Sequence, residues 1–394
     1  MRAVKRFLVT GLLLAAFVQP TSAEALANYR PSTTWGHTYA SNEQATISKQ
    51  TPRAANLEPN SKFVVNYSGF PDWAKTQVQQ AIDVWAANFQ SKVVINVDAS
   101  WVRTPSNILG SARPGGYYSA FSGAPDPTLW YPSALANALA GKDLNKSSSE
   151  IIIQINSGAS WDQSGLNASP GQYDLMSVLI HELAHGLGFL STDDYYSNGV
   201  GELREPTAFD AYLQTQDNRR LSDLPSPSLE LGKALTSTLY WSGPLGIAAN
   251  SGVKPLMYTP SQYDAGSSVS HLDENTFSKT GPDSVMTPDL DAGEIFHNPG
   301  PLVLAMMNDL RNTPPQGVAV GLPSAVRNAR ALVSDSSALV TFDMPLNARG
   351  AAISNYVITN IRTGAKKSVT SSPAFINGLK NGTAYEFSIV AQNS

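Results

Sequence analysis

The stretch DLMSVLIHELAHGLGF, residues 174–189, decides how this chain is read. Met176, Leu179, Ile180, Leu183 and Leu187 recur at the three- and four-residue spacing of one helix face, which predicts an amphipathic helix with its apolar side on a core. Asp174 is the expected N-cap, because its carboxylate can accept from the free N–H groups of the first turn. Gly186 and Gly188 are expected to end the helix. His181 and His185 stand four residues apart and so project the same way, roughly 5–6 Å apart at Cβ, a spacing that suits two ligands of one Zn²⁺ ion. Glu182 lies beside them, close enough to reach a metal-bound water without ligating, as a general base must. In that chemistry zinc lowers the pKa of water toward ~7, and Glu182 takes the proton and passes it to a leaving amine. Two plainer readings are a helix with two incidental histidines and a purely structural zinc. The presence of Glu182 argues against the second.

Working outward, KFVVNY (62–67), KVVINV (92–97) and EIIIQIN (150–156) read as strands, the last apolar enough to lie inside a sheet. Pro71 and Asp72 open a helix with Val78, Ala81, Ile82, Trp85 and Phe89 on one face. Residues 105–126 are rich in Gly, Pro and Ser. On the other side, residues 190–270 are loop-rich, with a short helical stretch from Ala208 to Leu213. Pro301 starts a helix carrying Val303, Met306, Met307 and Leu310 on one side. Asn312-Thr-Pro-Pro-Gln-Gly reads as a stiff linker. Beyond it, ALVTF (338–342), NYVITNI (355–361) and AYEFSIVA (384–391) alternate like strands of an antiparallel sandwich.

The expected fold is therefore mixed α/β, a twisted sheet with an active-site helix, followed by an all-β sandwich. The expected boundaries are a first domain over 61–313, a linker over 314–321 and a second domain over 322–394. Residues 24–60 are polar and read as irregular: a pro-segment, a flexible arm or part of the first domain.

Residues 1–23 read as a secretory signal: Arg2, Lys5 and Arg6, then an apolar run from Phe7 to Val18, then Pro20 and the small Thr21, Ser22 and Ala23. The run is too short to span a bilayer comfortably, and no later stretch is long enough. Secretion to an extracellular or periplasmic space, in a bacterial setting, is the expectation. Losing those three cations takes the formal charge from −4 to −7, so nothing suggests affinity for nucleic acid. With 42% apolar and 15% charged residues the chain can build a real core. It has no cysteine, which excludes disulfides, a thiolate nucleophile and thiolate metal ligands. Any metal must be held by His, Asp or Glu, and only His37, His181, His185, His271 and His297 are available as imidazoles.

HELAHGLGF resembles the metzincin metallopeptidases, whose motif reads HExxHxxGxxH/D: His181, Glu182, His185 and Gly188 match, but the third-ligand position is Ser191. The leishmanolysin-like branch also reads HExxHxxGF, with a long insertion before its third His and a Met-turn soon after. Here SHLDENTF holds His271 and SVMTP holds Met286. The resemblance covers roughly residues 60–311. It implies that His271 completes the zinc site, that Met286 lies in the turn beneath the metal, and that the substrates are proteins or peptides.

Other third ligands stay open. His297 follows the Met-turn instead of preceding it. Glu205 or Glu202 could serve as the downstream Glu does in thermolysin-like enzymes, although Pro206 disfavours helical geometry at 205. His37, in the irregular N-terminal segment, is expected to have no metal role.

Residues 322–394 resemble a fibronectin type III module, carried by Pro323, ALVTFDMP, Tyr356 and LKNGTAYEFSIVAQNS, with Tyr385 as the corner tyrosine. Phe342 stands where Trp is commoner, and the chain stops one strand short of a complete module. Such a unit would be a spacer or would bind protein or carbohydrate. The functional expectation is a secreted zinc endopeptidase. The alternative is a secreted adhesion or matrix-binding protein whose zinc domain is inactive or structural.

Overall fold

The computed structural model describes residues 27–393 apart from 45–49, 52–57, 147, 166–167, 170, 278–280, 316, 318–320, 346–347 and 350–352. The expected signal, residues 1–23, lies outside the described residues, and the expected linker lies partly outside them. The architecture is mixed α/β, with eight α-helices among the described residues. None of them is long and apolar enough to cross a membrane.

The N-terminal part carries strands β1 (Asn28–Pro31), β2 (Gly36–Gln44), β3 (Phe63–Ser68), β4 (Ile95–Val102), β5 (Ile108–Pro114), β6 (Gly116–Ser119) and β7 (Ile151–Asn156). A short strand, β8 (Asp289–Ala292), comes much later in the chain. Six of these make one sheet in the order β8-β2-β5-β7-β4-β3. Strands β3, β4 and β7 run parallel, whereas β5 lies antiparallel to β7. Strand β2 is antiparallel to β5 and parallel to β8. Strand β1 pairs separately with β6.

Helices α1 (Asp72–Asn88), α2 (Ser133–Ala140) and α3 (Leu175–Leu187) supply the apolar faces that cover the sheet. Val78, Ala81, Ile82 and Trp85 of α1 are buried with Leu179, Ile180 and Leu183 of α3 in one cluster, which also holds Ile151, Ile153 and Ile155 of β7. Each such side chain contributes about 1.5–3 kcal/mol on leaving water. Trp85 also donates its indole N–H to the Ile180 carbonyl at 3.0 Å, so the two helices are keyed as well as greased. The same cluster continues through Phe209, Tyr212, Trp241, Leu272 and Met286 to Leu310, so the loop-rich stretch packs on the sheet as part of one core.

Two expectations need correction. The segment 24–60 is not irregular throughout, because β1 and β2 fall within it. The second strand was expected at 92–97 but starts at Ile95 and runs to Val102, since pairing of Phe63 with Ile95 and of Val97 with Ile151 sets its register.

Among the described residues the C-terminal part has six strands: β9 (Arg327–Ser334), β10 (Ser337–Asp343), β11 (Ile353–Asn360), β12 (Lys366–Val369), β13 (Ala374–Asn377) and β14 (Phe387–Asn393). They form two three-stranded sheets, β9-β10-β13 and β12-β11-β14. Val340, Phe342, Tyr356, Ile358, Ala374 and Ala391 make a second, smaller core. The Phe342 and Tyr356 rings lie 4.8 Å apart at its centre. The Tyr385 hydroxyl accepts from the Lys380 N–H at 3.0 Å.

Candidate metal centre

Helix α3 starts as its sequence predicts: Asp174 accepts from the Ser177 N–H at 2.7 Å. It ends at Gly188, whose φ of 130° suits glycine. Gly186 has a different job. It lies inside the helix, where a Cβ would meet Ile151 Cγ2 at 2.3 Å, so its lack of a side chain lets α3 settle on β7.

One turn apart on this helix, His181 and His185 bring their Nε2 atoms to 2.9 Å. His271 arrives from 86 residues beyond His185 and sets its own Nε2 3.0 Å from that of His181 and 3.2 Å from that of His185. All three rings are buried. They form the only group of three or more His, Cys, Asp or Glu among the described residues whose ligand atoms lie within 4.8 Å of one another. This centre could hold a metal ion.

The other side of each ring explains why. Nδ1 of His181 meets the Val285 carbonyl at 2.6 Å, Nδ1 of His185 the Phe189 carbonyl at 2.7 Å, and Nδ1 of His271 the Ser267 carbonyl at 2.8 Å. A carbonyl only accepts, so each Nδ1 carries the proton and each Nε2 presents a lone pair. Three lone pairs within 3.2 Å have no proton to share between them. A cation at their meeting point satisfies all three, and the carbonyls are the outer-shell partners that hold such ligands in orientation. Burial also keeps the rings neutral. It lowers His181 to about 4, and burial with the neighbouring imidazoles holds His185 and His271 well below the usual value.

Glu182, next to His181 in the chain, is fully buried. Its Oε1 accepts the Thr38 N–H at 3.0 Å and the Thr38 hydroxyl at 2.6 Å. Its Oε2 is buried without a partner. Burial pushes this carboxyl up to about 8, against the pull of the two Thr38 hydrogen bonds. Met286 is fully buried at the end of a 3₁₀ turn, Pro282–Met286, and its carbonyl accepts from Leu272, the neighbour of His271.

The remaining candidates fall elsewhere. Glu205 pairs with Arg30 at 3.8 Å and is not in the imidazole cluster. Glu202 takes a short hydrogen bond from Tyr196. His297 binds Asp174 at 3.0 Å, at the opposite end of α3 from His185. Ser191 donates its N–H to the Ser270 hydroxyl at 3.0 Å, so the residue at the motif's ligand position anchors the segment that delivers His271. Sequence reasoning missed Thr38 altogether and set His37 aside. His37 lies close enough to the cluster to bear on the charge state of all three rings, with its own Nδ1 2.8 Å from Ser111 Oγ. Nothing in the polar pattern of residues 24–60 marked either.

A family model described as SPBPB7E8-like matches residues 64–211. No curated protein matches the chain. Among solved structures, domains A168–A170 of titin match at 22% identity over 18% of this chain and 27% of that one, with a TM-score of 0.17. Titin kinase with its flanking domains matches at 21% identity over 19% of this chain and 15% of that one, also at 0.17. The chain thus spans less than a third of the length of each of these two structures.

Proposed function

We propose that the chain is a secreted zinc-dependent endopeptidase of the metzincin kind, nearest in plan to the leishmanolysin-like branch. One observation carries the reading: three neutral imidazoles converge through Nε2 beside a buried carboxylate that is not one of the ligands. Three nitrogens at 2.0–2.1 Å from a tetrahedral zinc lie roughly 3.3 Å apart. The 2.9–3.2 Å separations here fit that ion with little adjustment. An all-nitrogen donor set with no thiolate suits zinc, and three protein ligands are what a catalytic zinc site uses.

Bound there, zinc would supply Lewis acidity and an acidified water. The protein's own part falls to Glu182. Its Oε1 is fixed by Thr38, which leaves the unpartnered Oε2 as the atom that would take a proton and later return it to the leaving amine. A nearby dication would draw its raised pKa back down and ready it as a base. Met286 and Val285, in the turn tied to His181 and to the neighbour of His271, would keep two ligands in register.

The C-terminal strands, with the Tyr385–Lys380 hydrogen bond, support a fibronectin type III-like spacer or binding module. The test is zinc content and hydrolysis of a generic quenched-fluorescent peptide, with and without chelator. One zinc per chain and chelator-sensitive cleavage are expected once the centre is accessible. Zinc-loaded protein in which the centre is open to peptides yet cleaves nothing would favour the adhesion or matrix-binding alternative.

A further inference from the structure

A catalytic zinc site keeps an open position. Here His181, His185, His271 and Glu182 are all buried, and the cavity beside His181, lined partly by Thr38 and Val285, is only about 10 Å³, room for one water.

The cover is β2. Its Gly36, His37, Thr38 and Tyr39 pair antiparallel with Ala112, Ser111, Gly110 and Ile108 of β5, and its Tyr39 and Ala40 pair in parallel with Asp289 and Leu290 of β8. The His37 N–H also reaches the Gly266 carbonyl at 3.1 Å. Thr38 occupies Oε1 of the general base. Gly36 lies so close to His185 that a Cβ would stand 2.5 Å from the ring.

Strand β2 also contributes little to the fold it crosses. Buried members of the main core begin at Phe70, and among residues 36–41 only Ala40 packs against it, partly buried. The buried side chain of that stretch is Thr38, a polar one. A strand inside a sheet normally earns its place with apolar side chains. This one is held by main-chain hydrogen bonds on both edges, as an extended peptide added to a sheet is held.

We propose that residues 36–40 occupy the path of a peptide substrate, so that the chain is latent until β2 is displaced from between β5 and β8. This inference rests on the endopeptidase reading. It supplies a blocking device that needs no cysteine.

The test uses the full zinc-loaded mature chain. Gly36→Val places a branched side chain where the His185 ring already sits, so β2 must lift. If the parent opens no more than about a tenth of the time, the variant should cleave a quenched-fluorescent peptide at least about 10-fold faster. Amide exchange at residues 36–40 should speed up while zinc content holds. A fluorescent synthetic peptide of residues 33–44 should bind the variant and not the parent. Thr38→Val, which keeps the shape but drops the hydroxyl on Glu182, should give a smaller rise of the same sign, and it serves if Gly36→Val does not fold. Equal peptide binding by parent and lifted variant, or measurable cleavage at the same rate by both, overturns the inference. Selective binding by the variant with no cleavage by either form upholds β2 as the channel's occupant and overturns the endopeptidase reading alone.

Discussion

His181 and Val285 meet at 2.6 Å, ring Nδ1 to backbone carbonyl, across 104 residues of chain. That contact ties the helix carrying two of the imidazoles to the turn that ends in Met286. One residue on, the Met286 carbonyl takes the N–H of Leu272 at 2.8 Å and so steadies the neighbour of the third imidazole. A single turn therefore registers both halves of the centre, and the consequences can be measured.

His271→Ala should leave two imidazoles and lower zinc affinity by more than the roughly 10–100-fold that losing an outer-shell partner costs. Glu205→Ala should keep full zinc, because Glu205 is engaged with Arg30 away from the cluster. Zinc stoichiometry on the two purified variants decides. The reverse outcome would move the third-ligand assignment to Glu205.

Glu182→Gln should retain one zinc per chain, since Glu182 is not among the converging ligand atoms. Measured on an opened form such as Gly36→Val, its cleavage rate should fall by about 10²–10⁴-fold, the usual worth of a positioned base. Unchanged turnover would remove Glu182 from the mechanism.

Zinc binding should release about one proton near pH 7, and it should come from Glu182. The metal-free carboxyl stands at about 8 and so holds its proton at neutral pH, while His181, at about 4, has none to give. His185 and His271 are likewise lowered by burial. A dication favours the charged carboxylate, so affinity should tighten as pH rises from about 6 toward 8. Calorimetry in buffers of different ionisation enthalpy counts the protons. Release of two or three at pH 6, or an unchanged count in Glu182→Gln, would contradict this.

Gly186→Ala should destabilise the protein by about 1–3 kcal/mol, the cost of overpacking a filled core. The new methyl would fall 2.3 Å from Ile151 Cγ2. Combining it with Ile151→Ala, which clears that space, should cost less than the sum of the two single changes, because the sites touch. Denaturant melts of the four proteins measure the coupling, and strict additivity would show that α3 shifts instead of clashing.

The parts of this architecture that were legible are those whose local pattern and burial agree. Asp174 caps α3, its leucines and Ile180 face the core, and EIIIQIN lies within the sheet. The two helical imidazoles followed from spacing alone. His271 came from a resemblance, because no local rule joins residues 86 positions apart. Strand β5 was hidden because ILGSARP holds Gly and Pro, both depleted in strands. Its Gly110 is there for close approach: a Cβ would stand 2.8 Å from Glu182 Oε1 and 2.7 Å from Val178. Strand β2 was hidden for a related reason. Its order comes from the edges of β5 and β8, so its own side chains carry no periodic signal.

The long reach from His185 to His271 also changes what an ion would mean for this chain, which has no cysteine with which to staple itself. A cation gripping both rings closes a loop of 86 residues. Treated as a cross-link on the unfolded chain, such a closure is worth roughly 4–5 kcal/mol. Chelation would then do to this protein what reduction does to a disulfide-bonded one: loosen the stretch between α3 and the Met286 turn, and open it to proteolysis.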